Sequence, residues 1–150
     1  EQIVRIGTAG TLSDRVNLRD VVIAVGASTD SAYGAQFNLP GTFAPIADFD
    51  LARKAAETGE RLGIRTVAGN ILSSDIFYND DEEALRKWTK MGILATEMEA
   101  AALYMNAARA GKKALCMLTI SDAPLRGEAL SAEDRQTGFT DMMKIALEIA

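Results

Sequence analysis

The sequence contains no histidine, so it lacks both the commonest general base and the commonest metal ligand of proteins. A Ser/His/Asp triad and a histidine-based zinc site are therefore excluded within these 150 residues. Cys116 is the only cysteine, which excludes an internal disulfide. Its apolar neighbours predict a buried, unreactive thiol.

Long hydrophobic runs are also missing. The longest apolar stretch, around residues 114–120, is too short to cross a bilayer, and no charged-then-apolar leader stands at the amino end. The net charge of −5 disfavours binding to nucleic acid or to an anionic membrane. We therefore expect a cytoplasmic protein whose partner is a small molecule or another protein, with no nucleic acid and no membrane.

The composition, with 48% hydrophobic and 25% charged residues, is that of one ordinary globular domain spanning residues 1–150. The chain opens at Glu1 in a strand-like run without a methionine and stops at Ala150 inside a helical pattern. We therefore expect it to be part of a longer protein.

Apolar runs and helical periodicities alternate along the chain, which predicts the α/β class. Apolar runs predict strands at residues 3–6, 21–25, 65–72 and 113–120, the first two of them buried on both faces and the last central in the sheet. Capping residues and periodicity predict helices at residues 49–62, 80–92, 97–110 and 131–147. The second helix would carry Glu82 and Glu83 in its first turn, and residues 28–45 predict a long irregular loop.

Residues 5–10, Arg-Ile-Gly-Thr-Ala-Gly, complete the first predicted strand and are a candidate anion site. Two glycines around a hydroxyl residue allow backbone N–H groups to converge, and the Arg5 guanidinium would add bidentate contacts. The alternative is a tight turn, which is the usual role of a glycine pair after a strand.

Glu97 and Glu99 flank Met98 at the predicted start of the third helix. Because residues two apart do not share a helix face, one carboxylate would point to the core or a pocket and the other elsewhere. The alternative is that both carboxylates complement the helix dipole and that Met98 is ordinary packing.

Ser121 and Asp122 follow the fourth predicted strand, at the edge where open α/β sheets place ligands. A carboxyl group there can act as a general acid, and Arg135 in the last helix could set when it releases its proton. The alternative is a helix cap or a structural ion pair.

Phe77 and Tyr78 could stack on a flat ring, although aromatic side chains in such positions most often belong to the core.

In order and spacing these stretches resemble the nucleoside phosphorylase family, specifically the hexameric bacterial-type purine nucleoside phosphorylases. Glu-Met-Glu and Ser-Asp also occur in uridine phosphorylases and nucleosidases, whereas Asp-Arg-Gln-Thr-Gly-Phe at residues 134–139 and Ala-Asp-Phe-Asp at 47–50 are typical of the purine branch. The resemblance implies a three-layer α/β fold, with a mixed central β-sheet flanked by helices and incomplete at the amino end. The chain would be the carboxyl-terminal portion of the phosphorylase domain.

The resemblance also implies which residues bind each part of the substrates. Arg5 and Thr8 would bind phosphate. Met98 and Glu99 would hold the ribose. The residues around the base would be Ala9, Gly10, Phe77, Thr96, Glu97 and Ser121.

The implied reaction is the reversible phosphorolysis of purine ribo- and deoxyribonucleosides. Asp122 would protonate purine N7 as the general acid, while Arg135 approaches Asp122 as the last helix bends over the site. A proton donor at the base and an anion below the sugar are what cleavage of an N-glycosidic bond requires. No metal and no cofactor are implied, only inorganic phosphate as co-substrate, and the protein would be a homo-oligomer, a hexamer built as a trimer of dimers.

The chain departs from the family pattern in two ways. The glycine-rich phosphate loop, with its own arginine, and a histidine and arginine from a neighbouring subunit have no counterpart here. The usual Ser-Asp-His is Ser121-Asp122-Ala123 in this chain. A nucleosidase, a uridine phosphorylase and an inactive nucleoside-binding or oligomer-forming fragment therefore stay open as alternatives.

Overall fold

The computed structural model describes residues 1–81, 83–137 and 139–150, without the side chains of Gln136 and Thr137. Glu82, predicted in the first turn of a helix, and Gly138, in the stretch typical of the purine branch, lie outside the described residues. No helix within the described ranges is long and apolar enough to cross a membrane.

The described residues form six strands and five helices. The strands are β1 (Gln2–Thr11), β2 (Val21–Thr29), β3 (Thr66–Ser73), β4 (Ala95–Glu97), β5 (Lys113–Ala123) and β6 (Glu128–Ala129). The helices are α1 (Phe49–Arg61), α2 (Ala84–Thr89), α3 (Ala100–Arg109), α4 (Ala132–Thr137) and α5 (Thr140–Ile149).

The six strands belong to one mixed sheet with the order β1-β4-β3-β2-β5-β6. Because β1 also pairs with β5, the first five strands in this order close into a ring. β1 is parallel to β5 and antiparallel to β4, while β3 is parallel to both β2 and β4. The short strand β4 therefore lies between the carboxyl ends of β1 and β3, where the predicted site residues meet.

Helices cover both sides of the sheet, which confirms the predicted three-layer α/β fold. α3 packs on one side, where its buried Tyr104 lies in a cluster with Val22 and Cys116. α1 and α5 pack on the other side, where Leu51 and Ile145 share a cluster with buried residues of β2 and β5. Alternate residues of β5 thus contribute to two cores, as expected for a strand that is buried on both faces.

The helix ends follow the local chemistry of the sequence. Asp48 begins α1, because its carboxylate accepts the backbone N–H of Leu51 at 3.0 Å. Gly63 and Gly111, just beyond α1 and α3, have φ values of +67° and +63°. These left-handed conformations favour glycine and end both helices.

Several predicted boundaries are wrong. β1 continues to Thr11, so Gly7 and Gly10 lie within a strand and form no turn. Its amino-terminal half is not buried on both faces, since Ile3 and Ile6 are 48% and 40% exposed. The physical reason is that β1 pairs with β5 along most of its length but with β4 only at Gly10 and Thr11.

Other corrections concern short elements. The predicted third helix begins at Ala100 because residues 95–97 form β4. The predicted last helix is two helices, α4 and α5, and the loop at 28–45 includes the end of β2 and a 3-10 helix, Tyr33–Phe37. Glu83 precedes α2 as its N-cap residue, outside the first turn.

Candidate functional site

Arg5 is the cation at the centre of the candidate site. Its guanidinium forms an ion pair with Glu99, lies 3.7 Å from a carboxylate oxygen of Glu97, and lies 3.6 Å from the sulfur of Cys116. Burial opposes the charge on Arg5, but the contact with the Cys116 sulfur and the attraction of the Glu99 and Glu97 carboxylates outweigh it and raise the pKa of Arg5 above its ordinary value. Arg5 is therefore a permanently charged group held at one position on β1.

Space for the Arg5 guanidinium comes from Gly7, two residues further along the same face of β1. A Cβ atom at position 7 would lie 3.0 Å from Cζ and 3.1 Å from Nη2 of Arg5, and closer still to Nη1. Any side chain at position 7 would therefore displace the guanidinium. Gly7 serves here as a close-approach glycine.

The Glu97 carboxylate is buried and caps α3. It accepts the backbone N–H groups of Glu99 and Ala100, each at 3.0 Å, and the hydroxyl of Ser73 donates to Oε1. Negative charge at the amino end of a helix is stabilised by these donors and by the helix dipole. Of the two carboxylates around Met98, Glu97 thus points into the core, as the sequence predicted for one of them.

Glu99 and Met98 face the solvent side of the same turn. The Glu99 side chain is 58% exposed, and Met98 is 43% exposed. The predicted ribose ligands are thus accessible. Glu99 adjoins Arg5, although 94 positions in the sequence separate the two residues.

Asp122 lies in a second group of predicted site residues, at the far end of β1. The Ser121 hydroxyl donates to the Asp122 carboxylate at 2.7 Å. The other oxygen of Asp122 lies against Gly10, where a Cβ atom would be only 2.8 Å away. Gly10 also faces Thr96 of β4, so four of the predicted base and acid residues meet here. Because Ser121 and Asp122 belong to β5, the expectation that they follow the strand is wrong.

Not all predicted residues join these groups. Ala9 is buried among core side chains, and Thr8 is exposed and, by strand alternation, directed to the face opposite Arg5. Phe77 is 73% exposed and packs edge-on against Tyr78, which is 91% exposed, so a core role for this pair is wrong.

Arg135 does not contact Asp122. Its Nε donates to the carbonyl of Leu130 at 3.2 Å, and the N–H of Leu130 donates to the carbonyl of Ser121 at 2.9 Å. The helix that carries Arg135 is therefore tethered next to the candidate acid. Ser131 caps this helix, because its hydroxyl accepts the N–H of Asp134 at 3.1 Å.

Three residues of the site escaped the sequence reasoning about function. Ser73 contacts the predicted site residue Glu97, while Cys116 was predicted only as a buried thiol and Tyr104 was not singled out. The Tyr104 hydroxyl donates to the carbonyl of Ala24 at 2.5 Å and accepts the N–H of Cys116 at 2.9 Å, which bridges β2 and β5. Burial raises the pKa of the Cys116 thiol to about 12, in agreement with an unreactive cysteine.

Comparison with known proteins gives the family. The model of the phosphorylase superfamily matches residues 1–149. This chain belongs to the phosphorylase superfamily. It is 51% identical over 151 aligned positions to the DeoD-type purine nucleoside phosphorylase of Caldanaerobacter subterraneus subsp. tengcongensis, an alignment that covers all of this chain and 65% of the relative. It is 45% identical over 150 positions to the DeoD-type enzyme of Clostridium novyi, with 64% of that relative covered.

A solved structure of the purine nucleoside phosphorylase from Toxoplasma gondii, in complex with immucillin-H, has the same fold. The TM-score is 0.86 and the sequence identity is 22%. The match covers 97% of the present chain and 61% of the Toxoplasma gondii chain. The 150 residues thus span a little under two thirds of the curated relatives and of this structural neighbour.

Proposed function

We propose that the complete protein carrying this chain catalyses the reversible phosphorolysis of purine ribo- and 2′-deoxyribonucleosides, giving the free base and the sugar 1-phosphate. The relatives named purine nucleoside phosphorylase cover every residue of the chain at 45–51% identity. The observation that carries the proposal is the ion pair between Arg5 and Glu99. This ion pair joins the residue expected to bind phosphate to the residue expected to bind ribose. Phosphate and ribose are the two groups that react with each other in phosphorolysis.

The proposed bond changes balance without a metal or a further cofactor. An oxygen of inorganic phosphate forms a bond to C1′ of the sugar, and the bond from C1′ to the purine breaks with its electron pair going to the base. Asp122, as a carboxylic acid, donates its proton to N7 of the departing purine. Gly10, Thr96 and Ser121 surround this acid and support a base-binding role for this end of β1.

Arg5 and Glu99 also supply a physical link between the two substrates. A phosphate that binds Arg5 competes with Glu99 for the guanidinium, because both are anions. A ribose hydroxyl that donates to Glu99 offers this carboxylate another partner. Arg135, tethered through Leu130 to Ser121, would approach Asp122 by a movement of α4.

The experiment compares nucleoside cleavage with and without phosphate, using the complete natural chain and inosine, adenosine or uridine. We expect base release to require phosphate and sugar 1-phosphate to form in equal amount. Arg5→Met should raise the KM for phosphate, whereas Arg53→Met, which removes an exposed arginine paired with Glu57, is the control. Base release at the same rate without phosphate would overturn the proposal in favour of a nucleosidase, and cleavage of uridine alone would favour a uridine phosphorylase.

We further propose that the complete protein is a cytoplasmic homo-oligomer, a hexamer arranged as a trimer of dimers. Support comes from the segment that leads into the first residue of α1, where Leu39, Phe43, Ile46 and Phe49 are between 38% and 77% exposed. Apolar side chains grouped on a surface are typical of contacts between subunits. Sedimentation of the complete chain tests the assembly, and a monomer at micromolar concentration would overturn it.

A further inference from the structure

Ser73 is a buried hydroxyl that lies where β3 ends and α3 begins. It is 4% exposed, and its position in the parallel β3–β4 ladder is directly opposite Glu97. Its hydroxyl donates to Oε1 of Glu97 and accepts the N–H of Ala101 at 2.9 Å. One hydroxyl thus fixes both the Glu97 carboxylate and the first turn of α3.

The Glu97 carboxylate in turn fixes Arg5. Its Oε2 accepts the N–H groups of Glu99 and Ala100 and lies 3.7 Å from Nη1 of Arg5. The other acidic partner of Arg5, Glu99, is more than half exposed, and exposed ion pairs restrain a side chain only weakly. The buried carboxylate is therefore the rigid side of the cradle that holds the guanidinium.

We propose that Ser73 is a positioning residue for phosphate binding, because it sets the place of Arg5 through Glu97. The proposal rests on the proposed function in one respect, that Arg5 is a phosphate ligand. Without the Ser73 hydroxyl, Oε1 of Glu97 keeps only the Ala100 N–H, and the buried N–H of Ala101 loses its acceptor. The Glu97 carboxylate then turns toward the N–H of Ala101, which has lost its acceptor. Its Oε2 atom moves relative to Arg5 as a result.

The variants for the test are Ser73→Ala, Ser73→Cys and Ser73→Thr in the complete natural chain. Ser73→Thr keeps a hydroxyl, while Ser73→Cys keeps the shape of the side chain with a much weaker hydrogen bond. Ser74→Ala is the matched control, because the neighbouring Ser74 is also buried but its hydroxyl donates to Asp30, at 2.7 Å, and not to the Glu97 carboxylate; its backbone N–H, which donates to the Glu97 carbonyl, is kept in the variant. Calorimetry with inorganic phosphate gives the dissociation constant, and steady-state kinetics gives the KM of each substrate.

We expect Ser73→Ala and Ser73→Cys to raise the dissociation constant and the KM for phosphate about 10-fold, with the nucleoside KM changed less than about 2-fold. Ser73→Thr should restore phosphate binding, and Ser74→Ala should leave it unchanged. If Ser73→Ala and Ser74→Ala lower Tm equally and neither changes phosphate binding, Ser73 is only structural and the inference is overturned. A wild-type protein that does not bind phosphate would overturn the proposed function itself, which distinguishes the two failures.

Discussion

Substitution of Gly7 by alanine moves the Arg5 guanidinium without removing any charge from the site. The new Cβ would lie 3.0 Å from Cζ of Arg5, whereas ordinary contact begins at 3.4 Å, so the guanidinium must retreat by at least the difference. The displacement moves the guanidinium relative to the Cys116 sulfur, which lies 3.6 Å away, and relative to the position where it would donate to phosphate. A hydrogen bond to a charged group contributes about 1.5–3 kcal/mol, so we expect the KM for phosphate to rise roughly 10- to 100-fold.

The same substitution should not destabilise the fold. Gly7 is not among the glycines with positive φ, so alanine fits its backbone, and the atoms that its Cβ would meet are the far end of the flexible Arg5 side chain, which can move. The assay is phosphorolysis at varied phosphate concentration, together with thermal unfolding. Gly41→Ala is the control, because its Cβ would meet nothing within 4 Å. An unchanged phosphate KM in Gly7→Ala would refute the placement of Arg5.

Three further predictions concern the acid and the core. Asp122→Asn should lower kcat for adenosine by about 100-fold or more, because it removes the proton donor. Asp14→Asn, at an exposed site, should leave kcat unchanged. Equal rates in both variants would remove Asp122 from the mechanism. Burial raises the pKa of Cys116 from 9.0 to about 12, so its thiol ionises first in the unfolded state and the free energy of unfolding should fall above about pH 9, by on the order of 3 kcal/mol at pH 11. Urea titrations at both pH values test this fall, and a fall of the same size in Cys116→Ala would contradict it. Tyr104→Phe should lower the free energy of unfolding by about 1–3 kcal/mol in the same assay, because it removes the hydroxyl that bridges β2 and β5. Tyr33→Phe removes a more exposed hydroxyl and should lower it less. An equal decrease in both variants would show that the bridge contributes nothing.

The apolar runs of the sequence predicted four of the six strands, because strands that pack in the core contain short continuous runs of apolar residues. β4 escaped prediction since three residues, Ala95 to Glu97, are too few to show a periodicity. Its existence depends on partners on both edges, β1 and β3, which are distant in sequence. The closed ring was equally invisible, because it arises from pairing between β1 and β5.

The predicted site was recognised by residue type and order, and only part of it could be placed in space. Arg5 and Glu99 meet as expected for neighbouring ligands, and Asp122 meets Gly10. The burial of Glu97 could not be chosen over that of Glu99 from a spacing of two residues. Ser73 gave no signal at all, because a serine at the end of a strand is common and its partner is contributed by another element.

The pairing of β1 with β5 also sets the order of folding events during translation. Gln2 lies opposite Lys113, so β1 leaves the ribosome more than a hundred residues before the strand that completes its ladder. At about 5–20 residues per second, this interval lasts roughly 6–20 seconds. During that time the segment that carries Arg5 is without β5, its main pairing partner, and the contact between Arg5 and Cys116 can form only after both strands have been translated.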